Sequence, residues 1–460
     1  MTNTTTASYQ QLKNGPMRRF QMGIVAICML IAGLDGFDVL VVAYTAPAIS
    51  SDWNLGPTEI GLLLSSGLAG MGLGSLFVAP LGDKLGRRPA VIICMIILCL
   101  GMLVSSLTQS TAELALMRVI TGLGIGGILA NINILVSEYS SDKRRPLCIS
   151  LMALGYPIGA TLGGLLAVFL IEHHGWRSVY VFGGVAAATL LPAVLWLIPE
   201  SLDYLWARRP ADALAKSNAI LRRLQLPPLD ELPEHDTHTK ESNINGYSAL
   251  IKNQYAPGTL AACAVYFCVM LTAYFLLSWM PKMLTESGLS GSVGISGSLL
   301  MNLAGVCGCL LFGVFASRMG SRKLAAAFMI GLFGTAVIFA AVPATASALL
   351  FAALAVGFCL YTSINTLYVL VPQVFPITLR STGTGLAMTV GRLGAVTGPY
   401  IAGVLMSAGW SRPSYIFALA VPMLLAAACL SFLRPSVERP HSDTDSIVSN
   451  LNTAGTETVK

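Results

Sequence analysis

Ala79-Pro-Leu-Gly-Asp-Lys-Leu-Gly-Arg-Arg-Pro89 is a short charged loop set between two long apolar runs, near 58–80 and 90–108. Gly82 and Gly86 permit a tight turn, and Asp83 sits beside Lys84, Arg87 and Arg88. A looser copy, Gly313-Val-Phe-Ala-Ser-Arg-Met-Gly-Ser-Arg-Lys323, lies 234 positions later. Two further echoes fall at an offset of 235: Glu138 and Arg145 with Gln373 and Arg380, and Gly159-x-x-x-Gly163 with Gly394-x-x-x-Gly398. Three echoes at spacings of 234 and 235 predict a duplicated chain. Duplicated apolar halves predict a transporter with its site between them.

Working outward, apolar runs recur along the whole chain. A spanning helix needs roughly 20 mostly apolar residues. Such runs lie near 20–44, 58–80, 90–108, 113–137, 147–170 and 179–198, then near 258–279, 293–317, 322–342, 346–370, 381–407 and 413–433. The fold class is therefore all-α, with twelve transmembrane helices in two six-helix halves. The domains are a tail at 1–19, a first half at 20–198, a central loop at 199–257, a second half at 258–433 and a polar tail at 434–460. The central loop holds an amphipathic helix from Asp212 to Leu224, then Pro227, Pro228 and Pro233. The first run is too long for a signal peptide's core and holds two Asp, so it reads as a retained helix.

Composition agrees. Of 460 residues, 55% are apolar and 11% charged, against about 25% charged in a soluble domain. This excludes a soluble enzyme, a disordered chain and a secreted disulfide scaffold. The runs do not alternate with period two, which excludes a barrel. A net charge of +6 is too small to argue for nucleic acid. The ten cysteines are scattered without metal-ligand spacing, and no Walker motif is present. The expectation is a transporter that is not an enzyme, with no cofactor beyond a proton gradient.

The short basic loops set the orientation. Lys84, Arg87, Arg88, Lys143, Arg144, Arg145, Arg318, Arg322, Lys323 and Arg380 lie on one side, and Arg177, Lys282 and Arg412 on the other. The first side is expected to be cytoplasmic, together with both termini.

The loop Gly82-Asp-Lys-Leu-Gly-Arg-Arg88 resembles the signature loop of the major facilitator superfamily. Arg118 followed by Gly122, Gly124 and Gly126 resembles that superfamily's fourth-helix motif, and Pro199-Glu-Ser201 resembles its sixth-helix end. Asp35-Gly-Phe-Asp38 resembles, more narrowly, the aromatic acid:proton symporter family. The resemblance spans roughly 20–435. It implies proton-coupled uptake of a benzoate- or hydroxybenzoate-like acid across a bacterial inner membrane. It also implies that the charged loop latches the halves in one state and releases them in the other, so that Gly82, Asp83, Gly86, Arg87 and Arg88 are gating residues. Ser317 stands where the first copy has Asp83, so the latch is asymmetric.

An ionisable side chain at the centre of a spanning helix costs about 2.5–3.5 kcal/mol on insertion scales. Four such residues stand out: Asp35 and Asp38 in the first helix, Arg118 in the fourth and Arg392 in the eleventh. Asp35 and Asp38 are three apart and share a helix face. With the first helix ending near Tyr44 and the fourth starting near Glu113, Asp38 and Arg118 share a depth about 8–9 Å below the outer end. Arg118 can then hold one carboxylate ionised while the other exchanges a proton. A static ion pair between two helices is the alternative. Arg392, about mid-depth, suits a substrate carboxylate because its planar fork matches that group. Its alternative is neutralisation by another acid. With both acids ionised the cavity is near neutral, and a monocarboxylate arriving with one proton leaves it so.

Aromatic and amide side chains in the same helices are candidate pocket residues: Tyr266, Asn302, Tyr361 and Asn365, with Tyr44, Tyr156, Tyr274 and Tyr368. Asn131 and Asn133 could equally be inter-helix glue. Glu138, Arg144 and Arg145 are expected to form a second gating contact with Arg380 opposite, which Glu200 joins. His173 and His174 read as a solvated pair. The partners expected are an aromatic acid, a proton and the lipid bilayer, with no nucleic acid, for a monomer. Rival readings are a carrier of another organic acid or a sugar, a proton-driven exporter, and a membrane sensor without turnover.

Overall fold

The computed structural model describes residues 11–232, 250 and 255–433, except 12, 320, 344 and 376–378. Twelve long helices run α1 Arg19–Trp53, α2 Pro57–Leu73, α3 Arg87–Ser105, α4 Thr111–Tyr139, α5 Arg145–His174 and α6 Arg177–Leu197, then α7 Ala256–Glu286, α8 Gly291–Met319, α9 Ser321–Ala341, α10 Ala346–Leu370, α11 Arg380–Ser407 and α12 Arg412–Cys429. Among the described residues ten of these are long and apolar enough to cross a membrane, and α8 holds a shorter apolar stretch, Val293–Cys309. Helix α11 is less apolar because Gly and Thr recur along it. Two short helices, Leu202–Arg208 and Ala213–Arg223, follow α6.

The packing is twofold in pattern. In the first half α1 packs on α5 and α6, α4 on α2 and α3, and α3 on α6. In the second half α7 packs on α11 and α12, α10 on α8 and α9, and α9 on α12. Each pair in one half has its counterpart in the other. The halves meet where α2 lies on α11, α5 on α8 and α1 on α7.

Lipid gives helices no hydrophobic reason to associate, so close packing does the work. On α1 and α5, a Cβ at Gly36 would run into the Tyr156 backbone, and one at Gly159 into Gly33. On α7 and α11 the matching contacts are Gly394 on Phe267 and Gly398 on Leu271. Helix α2 turns into a π-helical segment, Gly74–Val78, beside α4. There a side chain at Gly74 would meet the Leu123 carbonyl.

Helix α1 corrects an expectation. It continues through Thr45, Ser50 and Asp52 to Trp53, nine residues past the apolar run. Asp38 therefore lies 15 residues from the helix end, about 22 Å at 1.5 Å per residue, and not the expected six. Arg118 lies seven residues from the start of α4, about 10 Å. Counting from apolar ends misjudged the depth because polar residues continue the helix. The two side chains meet all the same.

Hydrogen bonds bridge the halves at the end away from the basic loops. The Thr58 amide donates to Ser407 Oγ at 3.1 Å, and their hydroxyls lie 2.6 Å apart. Lys282 Nζ donates to Ser50 Oγ at 3.2 Å. At the same end Gly61 of α2 lies against Pro399 and Gly403 of α11.

Candidate proton and substrate site

Asp35 and Asp38 are three residues apart on α1, which turns their side chains about 60° from each other. That angle is enough to send them to different neighbours. Asp38 faces α4. Arg118 Nη1 donates to its Oδ1 at 2.7 Å and Nη2 to its Oδ2 at 2.5 Å. Nη2 also donates to the Asp38 carbonyl at 3.0 Å, and Nη1 to Met102 Sδ at 3.4 Å. Both side chains are 2% exposed, so this is a buried, two-pronged ion pair. Beside it the Tyr180 and Thr45 hydroxyls lie 3.2 Å apart.

Asp35 faces the other half. It is buried, and its Oδ1 has no hydrogen-bond donor among the described residues. Arg118 does not reach it; the cation that acts on it is Arg392 of α11. Arg392 is half-buried and forms no hydrogen bond or ion pair among the described residues. Asp35 is the acid that acts on it electrostatically, and the two form no ion pair among the described residues. Tyr156 and Tyr274 adjoin Asp35, and Tyr274 and Tyr368 adjoin Arg392. Tyr368 is 51% exposed.

The remaining pocket candidates divide. Tyr361 donates its hydroxyl to Asn302 Oδ1 at 2.5 Å. Asn302 is buried, and its Nδ2 finds no acceptor among the described residues. Tyr44 donates to the Ala160 carbonyl at 2.9 Å. Tyr266 lies against the backbone of Gly391, next to Arg392, with its hydroxyl buried and unpaired. Asn365 is half-buried on the α10 turn after Tyr361. Orphaned buried polar groups are rare in folded proteins. Here Asp35 Oδ1, Asn302 Nδ2 and the Tyr266 hydroxyl lie on helices that line the boundary between the halves.

The family model for the Major Facilitator Superfamily matches residues 26–399, and again 310–454. The chain belongs to the Major Facilitator Superfamily. Among curated relatives of this superfamily member, a gallate transporter of Pseudomonas putida is 32% identical over 423 residues, covering 91% of this chain and 93% of the relative. The 4-hydroxybenzoate transporter PcaK of Pseudomonas aeruginosa is 28% identical, covering 90% and 93%. Among solved structures, the inward-open xylose transporter XylE of Escherichia coli matches with a TM-score of 0.69 at 16% identity, covering 93% of this chain and 99% of that one. That likeness speaks to the fold alone.

The superfamily loop is held inside the first half. Asp83 pairs with Arg87 on the short helix-to-helix turn. Arg87 Nη1 donates to Asn131 Oδ1 of α4 at 3.2 Å. The Arg87 and Arg88 amides, at the start of α3, donate to Glu200 Oε1 at 2.7 and 3.2 Å. Gly86 makes this turn with φ +106°, and a Cβ there would run into the Glu200 carboxylate. Gly82 lies against Asn131. Arg208, in the helix after α6, donates to the Asp83 carbonyl at 3.1 Å. Asn131 is thus the glue between α4 and the loop, while Asn133 is exposed.

The second expected gating contact is not made in this arrangement, among the described residues. Arg145 pairs with Asp142, three residues earlier, at 2.5 Å. A local partner on the same turn takes it away from Glu138. Arg380 is exposed and without an ion pair among the described residues. Glu200 is occupied capping α3. Glu138 instead has Arg87, Lys13, Ser201 and Asp203 as electrostatic neighbours. The side chains of 313–321, including Ser317, lie outside the described residues. His173 and His174 are exposed.

Sequence reasoning missed two parts of this arrangement. Glu200 caps α3 across 113 positions, a pairing no local pattern announces. Gly67 of α2 lies against the Arg118 guanidinium. A glycine amid small residues reads as packing, so nothing marked it.

Proposed function

We propose that this protein is a proton-coupled symporter that imports a small aromatic carboxylate, of the benzoate or hydroxybenzoate class, by alternating access. It is a transporter, not an enzyme. The observation that supports the reading is that Arg392 of the second half and Asp35 of the first act on each other electrostatically while neither forms an ion pair among the described residues, with Tyr274 under the influence of both. The gallate and 4-hydroxybenzoate transporters among its relatives support the substrate class.

The roles follow from charge. Asp38 is neutralised by Arg118, so this pair is a fixed pivot of α1 on α4. Asp35 has no such partner and takes up the proton. Arg392 then binds the substrate carboxylate with its two-pronged fork. Tyr266, beside it, offers a second donor, and the ring stacks among Tyr156, Tyr274 and Tyr361. Substrate charge and proton charge cancel, so the loaded chamber carries no extra burden when the halves rock. The unloaded chamber keeps Asp35 ionised opposite Arg392, which is balanced too. Asn302 and Asn365 complete the wall away from the arginine. The proton gradient supplies the driving force, and no cofactor is required.

The excess of Lys and Arg on one side supports cytoplasmic placement of that end and of both termini, in the bacterial inner membrane. The halves close on each other at the opposite end, so this arrangement is the inward-facing state. Asp83, Arg87, Arg88, Gly82, Gly86 and Glu138 would then engage the second half, near Arg380, only when the cytoplasmic end closes. A monomer contains both halves and suffices.

Uptake of labelled benzoate and 4-hydroxybenzoate into cells expressing the protein tests this. We expect accumulation that a proton uncoupler abolishes. Uptake untouched by the uncoupler, or gradient-driven efflux instead, overturns the coupling or the direction. Binding without transport in vesicles would make the protein a sensor.

A further inference from the structure

Helix α6 ends at Leu197, and the carbonyls of its last turn have no donor within the helix. Two arginines from different elements take them. Arg88, in the first turn of α3, donates from Nη2 to the Leu195 carbonyl at 2.6 Å. Arg223, at the end of the short helix Ala213–Arg223, donates from Nη1 to the Trp196 carbonyl at 3.0 Å. The accepting carbonyls are consecutive, so the two guanidinium groups converge on one corner of the helix end. Arg223 is held there by its helix. Ala213, Ile220 and Leu221 of that helix are buried, and Ser217 accepts from Trp206 Nε1 at 3.2 Å.

Capping α6 does not use up these side chains. Each guanidinium has five N–H donors, and the carbonyl takes one. Arg88 Nε finds no acceptor among the described residues, and the Arg223 guanidinium lies over the Phe20 ring at 5.5 Å. Neither arginine forms an ion pair among the described residues. Glu200, the carboxylate beside Arg88, accepts instead from the amides of Arg87, Arg88 and Ser201. Arg222 and Arg19, next in sequence to Arg223 and Phe20, are exposed. Positive charge at this corner is therefore not matched inside the protein.

The corner also carries exposed apolar surface. Trp196 is 72% exposed and Leu195 43%, on a helix long and apolar enough to cross a membrane. An exposed indole at the end of such a helix sits at the level of the lipid headgroups. A soluble anion would leave both side chains uncovered, whereas a phospholipid covers them.

We propose that Arg88 and Arg223 bind the phosphate of an anionic phospholipid, with its acyl chains along α6 beside Trp196. The phosphate oxygens accept from N–H groups that the carbonyls leave over, and the planar guanidinium fork suits them. Arg222 and Arg19 add attraction without direct contact. The ammonium of a zwitterionic headgroup would be repelled by the same four cations, which selects an anionic lipid. The bound lipid ties the start of α3, the end of α6 and the central-loop helix together. The site does not rest on the transport reading, and its test uses no transport.

Binding of phosphatidylglycerol and of phosphatidylcholine to the delipidated full-length protein in detergent tests it. Phosphatidylglycerol should bind at least tenfold more tightly. Arg223→Gln should weaken its binding about tenfold, the loss expected for a hydrogen bond to a charged group, and leave phosphatidylcholine unchanged. Arg223→Lys should recover part, since a point charge lacks the fork. Arg222→Gln should cost about fivefold, as for one basic residue near an anionic headgroup. Lys216→Gln, on the same helix but paired with Asp212, should cost nothing. Brominated phosphatidylglycerol should quench tryptophan fluorescence in the unaltered protein, and most of that quenching should vanish in Trp196→Phe, which leaves both arginines in place. Equal affinity for the two lipids overturns the proposal, as does an equal loss in Lys216→Gln and Arg223→Gln, or quenching that survives in Trp196→Phe. Displacement of the lipid by an equal concentration of inorganic phosphate would make this a site for a free anion and overturn it too.

Discussion

Arg118 and Arg392 are both arginines in helices that span the membrane, and they live in opposite circumstances. Arg118 is fully buried and gripped on both prongs by Asp38. Arg392 is half-buried, lies on the helix that meets the first half, and forms no ion pair among the described residues. The same contrast holds for the two acids of α1. Asp38 is spent on its arginine, while Asp35, one turn earlier, accepts no hydrogen bond at Oδ1. A paired charge in a sealed niche belongs to the framework. In the function proposed above, the unpaired charge at the boundary of the halves serves the cargo. The first half supplies the framework pair, and the boundary with the second half supplies the vacant pair.

The first prediction breaks the framework pair. Removing one partner of a buried ion pair costs about 3–5 kcal/mol. Asp38→Asn or Arg118→Met alone should therefore lower the thermal unfolding temperature in detergent sharply and abolish accumulation. The double variant, which removes both charges and leaves Asp35 in place, should regain most of the stability and with it most of the accumulation. Equal stability of the singles and the unaltered protein would show that the pair is not structural.

The vacant side should behave differently. Arg392→Ala should leave the unfolding temperature nearly unchanged, since no partner is orphaned. It should weaken binding of an aromatic carboxylate about thirtyfold, roughly 2 kcal/mol for lost charged hydrogen bonds. Arg392→Lys should recover only part, because a point charge cannot replace the fork. Unchanged affinity in Arg392→Ala would remove it from the substrate site.

A smaller effect separates the loop from both. Gly86→Ala forces an L-residue to φ +106° and pushes a methyl group onto Glu200. Backbone strain of this kind costs about 1–3 kcal/mol. Stability should fall by that amount with the substrate affinity intact. A change in affinity without a change in stability would tie this turn to the chamber instead.

How much of this could be read in the sequence differs by feature. The twelve helices and their duplication were legible because apolar runs and a constant offset survive in composition. The meeting of Asp38 with Arg118 was legible because charges in these segments are so few. The length of α1 was not, since helix continues through Thr45, Pro47 and Asp52 after apolarity ends. Nor was the parting of Asp35 from Asp38. Spacing of three says that side chains are near one another, and a rotation of about 60° still lets each choose its own neighbour. Arg145 illustrates a third limit. The repeat paired it with distant groups, while Asp142 was one turn away.

The central claim is that Asp35, not the Asp38–Arg118 pair, takes the coupling proton from the chamber. Asp35→Asn tests it most directly, in vesicles loaded with a pH-sensitive dye and given 4-hydroxybenzoate. The account predicts normal stability, normal counterflow, and loss of both accumulation and the proton flux that accompanies uptake. Accumulation with an undiminished proton flux in Asp35→Asn would contradict it.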